Sequence, residues 1–197
     1  MTTIDLYLDP VCPFSWVTSR WLLDAAERTD RPVMLRQMNL AVLNEGQQEG
    51  EETDAAHQRM YERSRRLGRV FAAVTDRYGP EAFARLYEPI GTRLHVQKDE
   101  VTLGVAADLL GDLGFEASLA QALDEPERDE AVRRVHADSQ DTLGDEAGSP
   151  IIAIGGRAFF GPVLTGLPSL GDRVVLLDAI VSVASVPEFA ALQRPRG

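Results

Sequence analysis

Strand-forming sequence in this chain is confined to its two ends. Thr3 to Leu8 alternates and is rich in β-formers, and Val33 to Leu40 repeats that character. Between them, Phe14, Val17, Trp21, Leu22 and Ala25 recur at helical spacing over Phe14 to Arg28. Strand, helix, strand over so short a stretch is a βαβ unit, which requires a right-handed crossover and a parallel pair. Strand character returns only at Pro150-Ile151-Ile152-Ala153-Ile154. Gly155-Gly156, a two-residue hairpin signal, follows, and Arg157-Ala158-Phe159-Phe160 is the returning strand, stopped by Gly161-Pro162. A last helix is predicted over Leu170 to Ser185, closed by Pro187, with a further short turn over Phe189 to Gln193 and a frayed tail from Arg194.

Everything between the two ends reads as helix. Asn44 to Gly50 is a polar exit loop, and a helix follows from Asp54 to Tyr78, capped by Thr53 or Asp54. Gly79-Pro80 ends it and opens a second helix with Phe83, Leu86, Tyr87 and Ile90 on its apolar positions. Glu100 to Leu110, a short Glu116 to Leu123 and Arg128 to Leu143 complete the set, with Gly144 and Gly148 bracketing the end. The order is β-α-β, helices, β-β-α. The strand-bearing ends are too short for two cores, so they fold together. The fold class is α/β, a thioredoxin topology with 1–48 and 148–197 forming one discontinuous domain around an all-helical insertion, 49–147.

The only cysteine, Cys12, lies where the first strand gives way to the first helix. Pro13 suits the first turn of that helix, where a missing N–H costs nothing. Cys12 therefore sits at or beside the N-cap, facing unpaired backbone N–H groups and the positive end of the helix dipole. That position favours the thiolate, the reactive form, over the bland alternative of a small buried hydrophobe.

Composition narrows the partners. The net charge of −11 argues against nucleic acid or an anionic membrane surface. No run of apolar residues is long enough to span a bilayer, and the N-terminus enters a strand without a basic segment or apolar h-region, so a cytoplasmic location is expected. A lone cysteine forms no internal disulfide, which suits a reducing compartment. No histidine pair has ligand spacing, and no glycine-rich phosphate loop is present, so no metal, flavin or bound NAD is expected.

A thiol at the start of the first helix of such a fold works with a proline that opens the third strand. Ser149-Pro150 stands at that place. It is either an ordinary strand-initiating trans proline or a cis proline opposite Cys12; the position of Cys12-Pro13 favours the cis form.

Several stretches together carry a resemblance. They are Asp9-Pro10-Val11-Cys12-Pro13-Phe14-Ser15-Trp16 with Thr18-Ser19-Arg20-Trp21, Leu43-Asn44-Glu45, Arg93-Leu94-His95 with Gln97, Gly148-Ser149-Pro150, and Gly155 through Leu164. The chain resembles the DsbA-like thioredoxin family, and within it the actinobacterial mycothiol-dependent nitroreductases and mycoredoxin-like proteins. The resemblance implies a thiol oxidoreductase working with a low-molecular-weight thiol (mycothiol favoured, glutathione the alternative) and a small substrate, and it admits a homodimer.

One position departs from the pattern. Members that cycle through a disulfide carry Cys-Pro-x-Cys, and here the fourth position is Ser15. Any redox cycle then runs through a mixed disulfide on Cys12. Ser15 either donates a hydrogen bond that lowers the Cys12 pKa or is a plain helix-surface serine. The same departure admits an enzyme like the kappa-class glutathione transferases or thiol-dependent isomerases, in which the bound thiol reacts. It also admits a redox-inactive binding protein.

The resulting site comprises Cys12 and Ser15 as catalytic residues. Pro13, Trp16, Ser149, Pro150 and His95 hold the cofactor. His95 faces either the cleft, where it binds a carboxylate, or the backbone carbonyls of its own helix end. Trp16 lines the pocket, while Trp21, Phe159 and Phe160 sit at core spacing. His57 and His136 read as surface residues, and Asn39 and Asn44 as solvated loop residues near the cleft.

Overall fold

The computed structural model describes residues 3–45 and 55–195. The expected boundary at 48/49, the end of the exit loop, the Thr53 or Asp54 cap and the last two residues of the tail lie outside the described residues. The strands are β1 (Ile4–Leu8), β2 (Val33–Gln37), β3 (Ile151–Ile154) and β4 (Arg157–Phe160), in the spatial order β2-β1-β3-β4. β1 and β2 run parallel, as the βαβ reading requires, while β3 is antiparallel to both β1 and β4. Gly155 and Gly156, both at positive φ, make the hairpin turn between β3 and β4.

The pleat sorts the sheet into two faces. Ile4, Leu6 and Leu8 of β1, with Leu35, Ile152 and Ile154, pack in one apolar cluster with Trp21 and Leu22 of α1 (Pro13–Arg28) and Leu177 of α7 (Leu170–Ala184). Tyr7, Ile151, Ala153 and Ala158 lie on the other face, with Met38 and Leu143. α1 and α7 are held together by polar links as well: the Trp21 indole N–H donates to Arg173 O at 3.0 Å, and Arg173 pairs with Asp24 at 3.2 Å.

The middle of the chain is helical among the described residues: α2 (Leu40–Leu43), α3 (Ala55–Tyr78), α4 (Glu81–Gly91), α5 (Leu103–Asp112) and α6 (Asp129–Leu143), with 3-10 segments Ala117–Asp124 and Pro126–Arg128. Its apolar residues Leu67, Phe71, Phe83, Tyr87 and Leu110 join the same buried cluster as Leu6 and Trp21, so the helices and the sheet share one core. Gly144 ends α6 at φ 79, a left-handed C-cap.

Three local readings change. The second strand stops at Gln37 because Asn39, fully buried, caps α2 through its side chain, which accepts from Val42 N at 3.0 Å. Asn39 is thus a cap, not a solvated loop residue. The helix expected from Glu100 begins at Leu103, where the Thr102 hydroxyl accepts from Val105 N. A π-helical segment, Thr92–Val96, continues from α4; such segments concentrate at functional sites. It carries His95.

Candidate active site

Cys12 is the N-cap of α1, and Pro13 occupies the first turn as its missing N–H allows. Opposite stands Ser149-Pro150, whose peptide bond is cis; Gly161-Pro162 is cis as well. The Cys12 thiol is only 5% exposed and donates to Ser149 O at 3.5 Å. Ser15, one turn along α1, is fully buried, so it is no surface serine. Its Oγ lies 2.5 Å from Ser149 Oγ, and Ser149 Oγ accepts from Asp9 N at 2.8 Å. With that N–H as donor, the Ser149 hydroxyl proton is free to pass to Ser15, which leaves the Ser15 proton for the sulfur.

The expected depression of the Cys12 pKa is not found. Burial pushes the thiol up, and the Asp9 charge adds to the rise. The Ser15 hydroxyl and the backbone N–H groups of Ser15 and Phe14 pull the other way and do not overcome it. The helix start therefore does present its N–H groups to the sulfur, but desolvation outweighs them. The resting group is a thiol with its proton on Ser149 O.

Asp9 is the residue that reading the sequence undervalued. It is completely buried directly after β1. Oδ1 accepts from Val11 N at 2.9 Å; Oδ2 accepts from Leu40 N at 2.7 Å and from the Ser64 hydroxyl at 2.5 Å. One carboxylate thus ties the Cys12 loop to α2 and α3. Burial raises its pKa, and those three donors offset part of the rise. The Val11 contact, an aspartate bonding the backbone two residues on, is a sequence-local signal that could have marked it. Nothing in the sequence points to Ser64.

His95 is reassigned in detail. Its Nε2 lies 2.8 Å from Pro10 O, so the ring is satisfied by a backbone carbonyl, but that of the Cys12 loop and not of its own helix. The ring stacks on Trp16 at 5.6 Å, and burial lowers its pKa, so the neutral form with Nε2–H donating to Pro10 prevails. Trp16 is half-buried. It also meets Tyr87 at 5.9 Å, carries the Arg20 guanidinium over its ring at 5.5 Å, and lies against Gly91 so closely that a Cβ there would fall 2.3 Å from the indole. It docks α1 onto α4 more than it lines open space. Pro13 is exposed at the rim, and Phe160, 45% exposed, is no core residue. His136 is buried, not on the surface, and its Nδ1 accepts from Asn39 N at 3.4 Å; His57 is exposed as expected. No group of metal-ligating side chains occurs among the described residues.

Residues 11–194 match the family described as Rv2466c-like, mycothiol-dependent nitroreductase Rv2466c. The chain belongs to that family. An uncharacterized protein of Mycobacterium tuberculosis, Rv2286c, is 30% identical over 207 residues, covering 100% of this chain and 83% of the relative. Among solved structures, a 2-hydroxychromene-2-carboxylate isomerase superposes with a TM-score of 0.61 at 15% identity, over 91% of this chain and 94% of that one. The cytosolic disulfide reductase DsbM from Pseudomonas aeruginosa, solved with GSH, gives 0.55 at 20% identity, over 91% and 99%. At such identities these structures speak for the fold, which is thioredoxin-like and of the DsbA type. Family membership makes the chain an oxidoreductase at the general level, with a low-molecular-weight thiol as its cofactor.

Proposed function

We propose that this protein is a cytoplasmic thiol oxidoreductase in which Cys12 forms a mixed disulfide with mycothiol and passes reducing equivalents to a disulfide or a small nitro-type electrophile. The observation that carries the reading is the hydroxyl pair Ser15–Ser149, 2.5 Å apart, built around a lone thiol at a helix N-cap. Cys12 gives up its proton and attacks one sulfur of an acceptor disulfide, XS–SX; the Cys12–S–SX bond forms and XS⁻ leaves, taking up a proton. RSH attacks the Cys12 sulfur of that mixed disulfide, so the Cys12–S–SR bond forms and XSH leaves. A second RSH attacks the R-bearing sulfur, which regenerates the Cys12 thiol and releases RS–SR. Two RSH thus become one RS–SR while XS–SX becomes two XSH. The chain itself supplies three things. Ser15 stabilises the thiolate once the thiol loses its proton, the α1 N–H groups add to that, and Ser149 O holds the proton at rest.

A second reading has one observation in its favour. The thiol is pushed up by burial, which suits a Cys12 that stays protonated and donates to a bound thiol that itself reacts. Intact mass spectrometry after exposure to oxidised mycothiol, with turnover of Cys12→Ser, decides between them. An adduct on Cys12 and loss of turnover in the variant are expected. Retained turnover in Cys12→Ser transfers the chemistry to the bound thiol.

A further inference from the structure

Gln37 ends β2, the strand at one edge of the sheet, and is 6% exposed. Its amide nitrogen donates to Gly68 O of α3 at 2.9 Å, while Oε1 has no hydrogen-bond partner among the described residues. Exchanging the two amide atoms would set an oxygen against the Gly68 carbonyl, so the unpaired atom is the acceptor. A side-chain oxygen taken out of water without a donor in return is costly, and a ligand that brings the donor removes that cost.

Gln37 also lines a pocket of about 190 Å³ at the same sheet edge. The wall is mostly apolar, built from Leu35, Phe83, Val135 and the ring of Tyr7, and the exposed residues Pro80 and Asp138 mark the mouth. The other donors in the wall are engaged. The Tyr7 hydroxyl donates to Thr142 Oγ1 at 3.0 Å, because the Thr142 proton goes to Asp138 O at 2.7 Å. Thr75 donates to Phe71 O at 3.0 Å, and Arg36 Nε to Asp5 at 2.6 Å. Neither Cys12 nor Ser15, Trp16, His95 or Ser149 lines this pocket, so it is separate from the thiol site.

We propose that the pocket at the β2 edge binds a neutral one-ring aromatic molecule whose hydroxyl or amino group donates a hydrogen bond to Gln37 Oε1. The size fits one ring, since an apolar cavity of roughly 150 Å³ already admits benzene. The charge follows from the wall. An anion would meet the Gln37 oxygen and the Asp138 carboxylate, and a cation would meet the Arg36 guanidinium. The donor follows from Oε1, which only accepts.

The test titrates ¹⁵N-labelled protein with phenol and with toluene, the same shape without the donor, and follows amide NMR shifts. Both probes are expected to give saturable shifts at Gln37 and Thr75, and phenol is expected to move the Gln37 side-chain amide further than toluene does. In Gln37→Leu the ratio of phenol to toluene affinity is expected to fall about tenfold, the worth of one hydrogen bond to an acceptor otherwise left unpaired. Val135→Phe, which fills the pocket from α6 and keeps Gln37, is expected to abolish both sets of shifts. Absence of saturable shifts at these residues, an equal response of the Gln37 side-chain amide to both probes, an unchanged ratio in Gln37→Leu, or binding that survives Val135→Phe overturns the proposal. Should Gln37→Leu fail to fold, the wild-type side-chain amide and Val135→Phe decide it.

Discussion

Ser15 Oγ and Ser149 Oγ meet at 2.5 Å across 134 residues of chain, one from the first turn of α1 and the other from the residue before Pro150. The contact lies where a second motif cysteine would stand. It places a hydrogen-bond relay, not a resolving thiol, beside Cys12. Ser15 favours the thiolate and so opposes the burial that raises the thiol's pKa. Ser15→Ala removes that opposition. The midpoint of Cys12 alkylation by iodoacetamide is expected to move to higher pH, with the rate near neutrality falling roughly tenfold, the worth of a hydrogen bond to a charged group. An unchanged profile places the Ser15 proton on Ser149 alone.

Restoring the dithiol pattern gives the complementary result. Ser15→Cys sets two thiols at Cys-Pro-x-Cys spacing on the first turn of α1. Mild oxidation is expected to close an internal disulfide with Cys12, read as a mass loss of two hydrogens and no titratable thiol. Accumulation of mixed disulfides in place of that product shows that the buried geometry around Ser149 bars closure.

Asp9 makes an opposed pair of predictions. Its three donors, Val11 N, Leu40 N and the Ser64 hydroxyl, all point at one carboxylate. Asp9→Asn turns an N–H toward one of them, so a loss of about 1–3 kcal/mol in stability is expected. At the same time the charge that raises the Cys12 pKa is gone, and alkylation of the folded variant is expected to quicken. The pH dependence follows from the raised Asp9 pKa. The stability this carboxyl contributes is fully present below its unfolded value of 3.8 and is lost as pH rises through its higher folded value. Urea unfolding of wild type and Asp9→Asn across acid pH checks it: only wild type carries that component.

What the sequence revealed, and what it hid, divides along the range of the forces involved. The strands, the parallel pair and the helical middle were legible because period-two and helical patterns are local, and Cys12, Pro13 and Pro150 because strand-to-helix junctions are punctuated by residue type. The thiol's pKa was misjudged because burial depends on what the rest of the chain lays over Cys12, which no local pattern states. Ser64, Tyr87 and His136 were invisible as site or core polar groups for the same reason. Each is an ordinary residue on a helix until packing brings it to Asp9, Trp16 or Asn39.

Gly91 is a packing requirement that only the folded chain displays. A Cβ at this position would lie 2.3 Å from Trp16 Cζ3 and 2.4 Å from Cε3, against the ring and not the end of a flexible chain. Gly91→Ala therefore forces the indole off α4, breaking its stack on His95. The expected result is a red shift of tryptophan emission and a loss of about 1–3 kcal/mol in stability, with Trp21 fixed and silent in the core. An unshifted spectrum means that α4 moves and Trp16 does not.

Half-buried His95 and buried His136 set the acid side of the stability curve. Burial lowers the pKa of both His95 and His136 below the ordinary 6.5, with Lys98 and Arg63 adding to the effect at His95 and Glu146 and Glu45 opposing it at His136. A base whose folded pKa is depressed binds more protons when unfolded, so its linkage works against the native state as pH falls below 6.5. Protonation also sets charge beside Lys98 and Arg63 at His95, and on the Nδ1 that accepts from Asn39 at His136. Unfolding free energy is therefore expected to decline from about pH 6.5 downward. His136→Gln should flatten part of that decline and leave the His95 contribution intact. A wild-type curve flat between about pH 6.5 and pH 5 would show that neither imidazole resists protonation, and the neutral Nε2–H bond to Pro10 would lose its basis.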